Sequence, residues 1–556
     1  MDWFPGRAAM IAVALALVTG VTLLMDDVST KGVVAADHAL ASRAGAEILA
    51  AGGNAVDAAV ATALAAGVVQ PAGSGLGGGG FAVVLEPGGV SHVLDFREVA
   101  PRGATREMFL DETAVPVAGR SRMGGLAVAV PGEPQGLVEL ERRFGRLSLS
   151  DVAEPAIRLA EEGFPAGEHL GDALQQRAYQ QVRALFTSDG VLATEGVVVR
   201  RPDLARALRA WAREDTSGLS GADARVAVAR AVASAGGVLT EDDLRAYRVR
   251  DRDPVIAHYK AYTLVTMPPP SSGGIVLAQM LGVLAQVDLA SLGHNSPEYV
   301  HRLAQTMAHA YADRAHHLGD PDFVAIPSQR LLSAERRDAI LGAFDPTRTL
   351  PPDAYGPRIA PPLDGGTQHI SVMDESGWSV ALTTTINTSF GSGVVVPEFG
   401  LILNNEMDDF AAAPGVPNAF GLVGGEANAV APGKRPLSSM TPTLVLDEHG
   451  AVVMSIGASG GSFIISSVLQ VFLNLVEFHM SPEQAVASPR VHEQWLPDVL
   501  FVEPGLDGAV LERLRQEGYT LEVAPGYSAC QVVMRTPAGL VGASDPRKGG
   551  APASSP

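Results

Sequence analysis

Apolar and polar positions divide the chain into three regimes. Residues 8–25 form an uncharged apolar run, preceded by Arg7 and followed by Asp26 and Asp27. The run exceeds the ~7 to 15 residues of an ordinary signal h-region and reaches the roughly 18 that span a bilayer. A signal peptide or signal anchor is therefore expected over 1–28, with Arg7 favouring a cytoplasmic amino terminus and the rest of the protein exported. From Asp37 to Gly53 apolar residues recur at helical spacing, with Asp37 expected as N-cap and Gly52-Gly53 as the stop. An alanine-rich helix is expected over about 55–69, a strand over Phe81–Leu85, and another over Val93–Glu98 that delivers Arg97 at its end. Helical periodicity dominates 145–250, where Thr240-Glu241-Asp242-Asp243 opens one helix with a capping-box pattern, and returns over 275–287 and 296–318.

After Thr367 the pattern changes to short alternating strands, interrupted by one long apolar helix near Phe463–Glu477. Blocks of strands and helices predict sheets covered by helices. The four glycines Gly77–Gly80 lie between a helix and a strand with no room for slack, which argues against a linker. No Gly-Lys-Ser/Thr follows them, so they are not a nucleotide loop. No repeat period is visible. Residues 548–556 are small and are expected to form a disordered tail.

Composition narrows the class. Of the 556 residues, 47% are hydrophobic and 18% charged, enough apolar material for a large core. The formal net charge of -20 repels phosphate backbones, so nucleic acid is not expected as a partner. One cysteine, Cys530, excludes an intramolecular disulfide and reads as a small buried hydrophobe. His301, His309, His316 and His317 lack the spacing and carboxylate shell of a metal site and read as packed or surface residues.

The candidate chemistry centres on Gly366-Thr367. A proline-rich stretch with Pro346, Pro351, Pro352, Pro357, Pro361 and Pro362 precedes Thr367, and a strand-like segment follows it. Cleavage between Gly366 and Thr367 would give Thr367 a hydroxyl nucleophile and an adjacent α-amino base, with a pKa near ~7.7 to 8.

Longer motifs give this position context. Thr383–Thr388, Asn404–Phe410, Arg435–Pro442 and Gly457–Ser462 resemble the small-subunit motifs of the γ-glutamyltransferase (γ-glutamyl transpeptidase) family. Gly52–Ala59, Gly77–Phe81, Asp95–Glu98, Pro268–Gly274, Tyr311–Arg314 and Leu318–Asp322 resemble its large-subunit motifs. The similarity runs over roughly 33–547. It implies an α+β fold, the N-terminal nucleophile hydrolase αββα sandwich, formed jointly by a large subunit over 29–366 and a small subunit over 367–556 after self-cleavage. No metal or organic cofactor is implied.

The resemblance also implies roles. Thr367 is the nucleophile and Thr385 supports it. Gly460 and Gly461 supply oxyanion N–H groups, each such donor being worth about 2.7 to 4 kcal/mol in a transition state. Arg97 binds the substrate α-carboxylate, helped by Ser438 and Ser439, while Asn387, Glu406 and Asp409 hold the α-ammonium. Asp409 is preferred over Asp408, which would point the other way on a strand. Phe420 occupies the lid position, where a tyrosine is common in bacterial relatives. Gln368 stands where a small residue is usual, and Phe463 where some relatives carry arginine.

The expected substrates are glutathione and related γ-glutamyl compounds, with water, amino acids or dipeptides as acceptors. Two other readings exist: a glutaryl-type cephalosporin acylase on the same scaffold, and an uncleaved, silent surface-binding homologue.

Overall fold

A computed structural model describes residues 31–176, 179–188, 190–214, 218–355, 366–413, 424–524, 526 and 528–555. The apolar run 8–25 and Phe420, expected at the lid position, lie outside them. Among the described residues no helix is long and apolar enough to cross a membrane.

Two large sheets form the centre. Their strands are β1 (Gly32–Ala36), β2 (Gly79–Leu85), β3 (Ser91–Phe96), β4 (Arg250–Arg252), β5 (Val255–Tyr259), β6 (Tyr262–Thr266), β7 (Gln368–Asp374), β8 (Ser379–Thr385), β9 (Thr443–Leu446), β10 (Val452–Ser459), β11 (Ala529–Thr536), β12 (Gly539–Ser544) and β13 (Ala553–Ser555). The seven-stranded sheet runs β13-β1-β7-β8-β2-β3-β4 and the six-stranded one β12-β11-β10-β9-β6-β5. Neighbouring strands are antiparallel throughout both sheets.

The sheets pack face to face through β7 and β8 against β10, and β7 against β11. Helices Ala39–Ala50, Ala55–Val69 and Glu133–Phe144 cover the outside of the first sheet. Gly273–Leu284 and Phe463–Val476 cover the second, with Pro297–His317 packed on the former. Period-two alternation sorts the side chains between layers. On β2, Ala82 and Val84 join the core under the helices, while Phe81 and Val83 join the core that reaches the second sheet. This is the expected four-layer αββα arrangement.

Local chemistry explains the elements near the site. Asn54 caps Ala55–Val69 in a capping box with Asp57, and that helix is buried on nearly every side, as its alanine-rich composition requires. Thr240 and Asp243 form the expected capping box. The glycines Gly77–Gly80 are close-approach positions: a Cβ on Gly77 would sit 2.0 Å from the Ile402 carbonyl oxygen, and one on Gly78 1.9 Å from that of Thr385. They bring β2 against β8, the strand beside the nucleophile.

Two expectations are corrected. Asp37 is not the N-cap of its helix: His38 is, its side chain accepting from the Leu40 N–H. Asp37 is buried and accepts from Gln531 and Ser459 instead. The disordered tail is also overturned within 548–555. There Pro546–Lys548 forms a turn of 3-10 helix and β13 pairs with β1, Ser555 opposite Gly32, because β1 would otherwise leave an unpaired sheet edge.

Candidate active site

Thr367 sits immediately before β7, where Gln368 pairs with Thr384 of β8. The chain is continuous here, and the Thr367 hydroxyl donates to the carbonyl oxygen of Gly366. Thr385 Oγ1 lies 3.2 Å from Thr367 Oγ1 and 3.2 Å from the same carbonyl oxygen, so the two hydroxyls bracket the Gly366 carbonyl. The Asn387 N–H donates to Thr385 Oγ1 at 2.8 Å, and the Asn387 carbonyl accepts from the Gly366 N–H at 3.0 Å. Asn387 achieves this with φ of 77°, a left-handed conformation that asparagine tolerates better than most residues.

The same small cavity is lined by Arg97, Thr367, Thr385, Asn387, Glu406, Asp409, Leu437, Ser438, Ser439 and Gly461. Residues more than 350 positions apart are thus brought together by the two-sheet core. Glu406–Asp409 is a turn of 3-10 helix rather than a strand. The strand reason for preferring Asp409 over Asp408 therefore does not apply; side chains three apart eclipse on a 3-10 turn. Glu406 and Asp409 therefore meet Arg97 together, Glu406 at Nη1 and Asp409 at Nη2, the latter 2.5 Å away. Asp408 instead accepts from the Ser121 hydroxyl.

Glu98 is a third acid here, 3.7 Å from Arg97 Nη1. Burial raises its pKa to about 7 against the pull of Arg97. Burial likewise raises Glu406 and Asp409, opposed in both by Arg97. Arg314 acts on Asp409 only as a weaker charge. Three buried carboxyl groups around Arg97 leave the cluster short of positive charge, which is the condition an incoming ammonium satisfies. An α-amino acid carries its carboxylate and ammonium on one carbon. Adjacent cationic and anionic groups, paired with each other here, match that chemistry.

A supporting layer was not assigned from sequence. The hydroxyl of Ser272 donates to the Ser438 carbonyl at 2.7 Å and accepts from Arg314 Nε at 2.9 Å. Arg314 Nη2 reaches Ser439 Oγ at 3.4 Å. The Pro268–Gly274 and Tyr311–Arg314 motifs thus brace the serine pair. Asp320 accepts from the Arg435 N–H at 2.8 Å, and the Tyr247 hydroxyl donates to the Arg97 carbonyl at 2.9 Å. The quoted motifs contained Asp320, Arg314 and Ser272 without suggesting that they act on the serine loop.

Gly460 and Gly461 form the turn between β10 and the helix Phe463–Val476, with φ of 122° and 57°. Gly461 lines the cavity; Gly460 stands beside it at the turn. Gln368 turns away from the cavity, its Nε2 donating to the Gln70 carbonyl at 3.0 Å. Phe463 stacks on His492 with ring centroids 4.1 Å apart. His301 and His309 are buried, the former against the Tyr519 hydroxyl at 2.8 Å and the latter edge-on to Tyr355. Cys530 is buried in β11, and burial raises its thiol pKa.

Comparison with known proteins finds relatives over most of the chain. A family model described as Gamma-glutamyltranspeptidase matches residues 41–555. The glutathione hydrolase proenzyme of Escherichia coli strain K12 is 39% identical over 525 residues, covering 93% of this chain and 90% of that protein. Its namesake from Pseudomonas aeruginosa is 40% identical over 530 residues, covering 93% of each. Among solved structures, a cephalosporin acylase from Bacillus halodurans superposes with a TM-score of 0.80 at 26% identity, covering 94% of this chain and 96% of that one. The γ-glutamyltranspeptidase of Helicobacter pylori gives a TM-score of 0.56 at 36% identity, covering 58% of this chain and 93% of that one.

Proposed function

The chain belongs to the γ-glutamyltranspeptidase family, and from that premise we propose how its site works as a self-cleaving γ-glutamyltransferase and glutathione hydrolase. One observation carries the reading: Thr367, Thr385, Asn387 and Gly461 share a cavity with the Arg97–Glu406–Asp409 cluster and the Ser438–Ser439 pair.

In maturation, Thr367 Oγ attacks the Gly366 carbonyl carbon, beside which it is already held. The amide nitrogen leaves with a proton, an ester joins Gly366 to the Thr367 oxygen, and water hydrolyses it. The products are a large subunit ending at Gly366 and a small subunit beginning at Thr367. In turnover the freed α-amine takes the hydroxyl proton as Oγ attacks the γ-carbonyl of the substrate. N–H groups at the Gly460-Gly461 turn face the developing oxyanion. The amine product leaves with the proton returned, and the γ-glutamyl ester passes to water, an amino acid or a dipeptide.

The substrate's α-carboxylate takes Arg97 with Ser438 and Ser439, and its ammonium takes Glu406, Asp409 and Asn387. A glutaryl side chain lacks that ammonium and would leave the acids uncompensated, which favours the γ-glutamyl substrate over the acylase reading. The leader over 1–28 supports export to the periplasm or cell exterior, with residues 8–25 as signal or anchor.

The test is mass analysis under denaturing conditions with amino-terminal sequencing, run beside Thr367→Ala. Two fragments, the smaller beginning Thr-Gln-His-Ile-Ser and missing from the variant, are expected. A single full-length chain in both samples would remove the free α-amine from the mechanism and leave the silent homologue.

A further inference from the structure

The carboxyl-terminal segment reaches the nucleophile. Asp545 caps the Pro546–Lys548 turn, and β13 fastens the chain beyond it to β1. Between these anchors the Lys548 side chain is nine-tenths buried. Its Nζ donates to the carbonyl oxygen of Thr367 at 3.2 Å and to Ser459 Oγ at 2.8 Å, and lies 3.7 Å from Asp37 Oδ2. Ser459 Oγ in turn donates to Asp37 Oδ2 at 2.6 Å, and Gln531 Nε2 donates to Asp37 Oδ1 at 2.7 Å. Lys548, Ser459, Asp37 and Gln531 do not line the cavity that holds Arg97 and Thr367. The cluster grips Thr367 through its own backbone, and the mechanism above makes no use of it.

We propose that Lys548 is a positioning residue that fixes the Thr367 backbone and, after cleavage, weakens the hold of the new α-amino group on its proton. The inference rests on the cleavage proposed above. The nitrogen and carbonyl oxygen of one residue lie about 3 Å apart, which places Nζ within about 6 Å of the new amine. A like charge at that range disfavours the ammonium and keeps the amine in the free-base form that accepts the hydroxyl proton.

Other charged groups act on the same amine. Asp37, reached beyond Ser459, and Asp545 oppose Lys548, while His169 near Lys548 is held neutral by burial, with its pKa lowered to about 4. On the cavity side stand Arg97, Glu406, Asp409 and Glu98. Among the described residues, Lys548 alone of the cations is hydrogen-bonded to Thr367 itself. Burial pulls Lys548 down and Asp37 up, and each sustains the other's charge.

The experiment measures the amine directly. Processed parent, Lys548→Gln, Lys548→Arg and Asp37→Asn are treated with cyanate, which carbamylates only neutral amines, across pH 5 to 10. The modified amino-terminal peptide of the small subunit is quantified by mass spectrometry. Lys548→Gln is expected to move the midpoint up by about one pH unit. Lys548→Arg should stay close to the parent, and Asp37→Asn should move it down. The acid limb of kcat/KM for a γ-glutamyl anilide should shift in the same directions.

Coincident midpoints for Lys548→Gln and the parent, or Lys548→Gln and Asp37→Asn moving the same way, would overturn the assignment. Should Lys548→Gln arrive uncut, Asp37→Asn decides, and an unmoved midpoint there sinks it. Labelling needs no substrate, so a cleaved protein inactive on γ-glutamyl compounds would refute the proposed function while still testing Lys548.

Discussion

Replacing Asp409 with Asn tests the charge logic of the site at one atom. The residue is 8% exposed, and its Oδ2 lies 2.5 Å from Arg97 Nη2. Asn keeps the shape and one acceptor, so Arg97 retains a partner. What is lost is one of the negative charges proposed to receive the substrate ammonium. Truncating one partner of a buried charge pair costs about 2 to 5 kcal/mol, and Glu406 and Glu98 remain, which places the loss near the lower half of that range. About 3 kcal/mol corresponds to roughly 150-fold in kcat/KM. The assay is hydrolysis of a γ-glutamyl anilide beside its glutaryl analogue, which lacks the ammonium. The γ-glutamyl rate should fall by that factor and the glutaryl rate by less than about tenfold. Near-parental kcat/KM on the γ-glutamyl compound would refute the ammonium assignment. Equal losses on both compounds would show that Asp409 acts only by aligning Arg97.

Two further outcomes follow from burial and packing. Glu98 has its folded pKa raised from 4.5 to about 7, so the folded chain holds a proton that the unfolded chain releases. Its contribution is fully present below about 4.5 and is lost as pH rises through about 7, a difference of roughly 3 kcal/mol; Glu98→Gln in the uncut Thr367→Ala background should flatten the fall in urea midpoint between pH 5 and 8, and parallel curves would contradict this. Gly78→Ala places a Cβ 1.9 Å from the Thr385 carbonyl oxygen and 2.9 Å from Ile386 Cγ2; displacing backbone beside the nucleophile should cost about 3 kcal/mol of stability and slow the appearance of the small subunit on a gel, and parental rates of cleavage would show that β2 and β8 can separate freely.

Much of this was legible in the sequence where a residue acts locally. Periodicity located the helices Ala55–Val69, Gly273–Leu284 and Phe463–Val476 to within a few residues, and the capping pattern of Thr240 was right because a cap depends only on its neighbours. Motif likeness assembled Arg97, Thr385, Asn387, Glu406, Asp409, Ser438, Ser439 and Gly461 around Thr367. Hidden were interactions that only tertiary structure creates. Asp37 looks like an N-cap, yet its partners Gln531 and Ser459 lie more than 400 residues away. Lys548 stands in a stretch of small residues whose composition signals disorder, and composition carries no information about a sheet edge waiting at β1. The strand argument for Asp409 assumed the wrong local geometry, and a two-residue and a three-residue period both separate 409 from 408.

The strand order of the two sheets has a consequence for the life of the mature protein. Across the seven-stranded sheet, strands before and after the cut alternate: β13 belongs to the small subunit, β1 to the large, β7 and β8 to the small, and β2, β3 and β4 to the large. The six-stranded sheet is shared as well, β12 to β9 from one piece and β6 and β5 from the other. Neither fragment owns a complete sheet, so the fold must be learned while the chain is still one molecule. Once cut, an unfolded copy must recover the same interleaving by meeting its other half in dilute solution, against a translational entropy that the precursor never faced. The mature enzyme therefore endures by how slowly it comes apart; heat it past that barrier and dilution decides whether it returns.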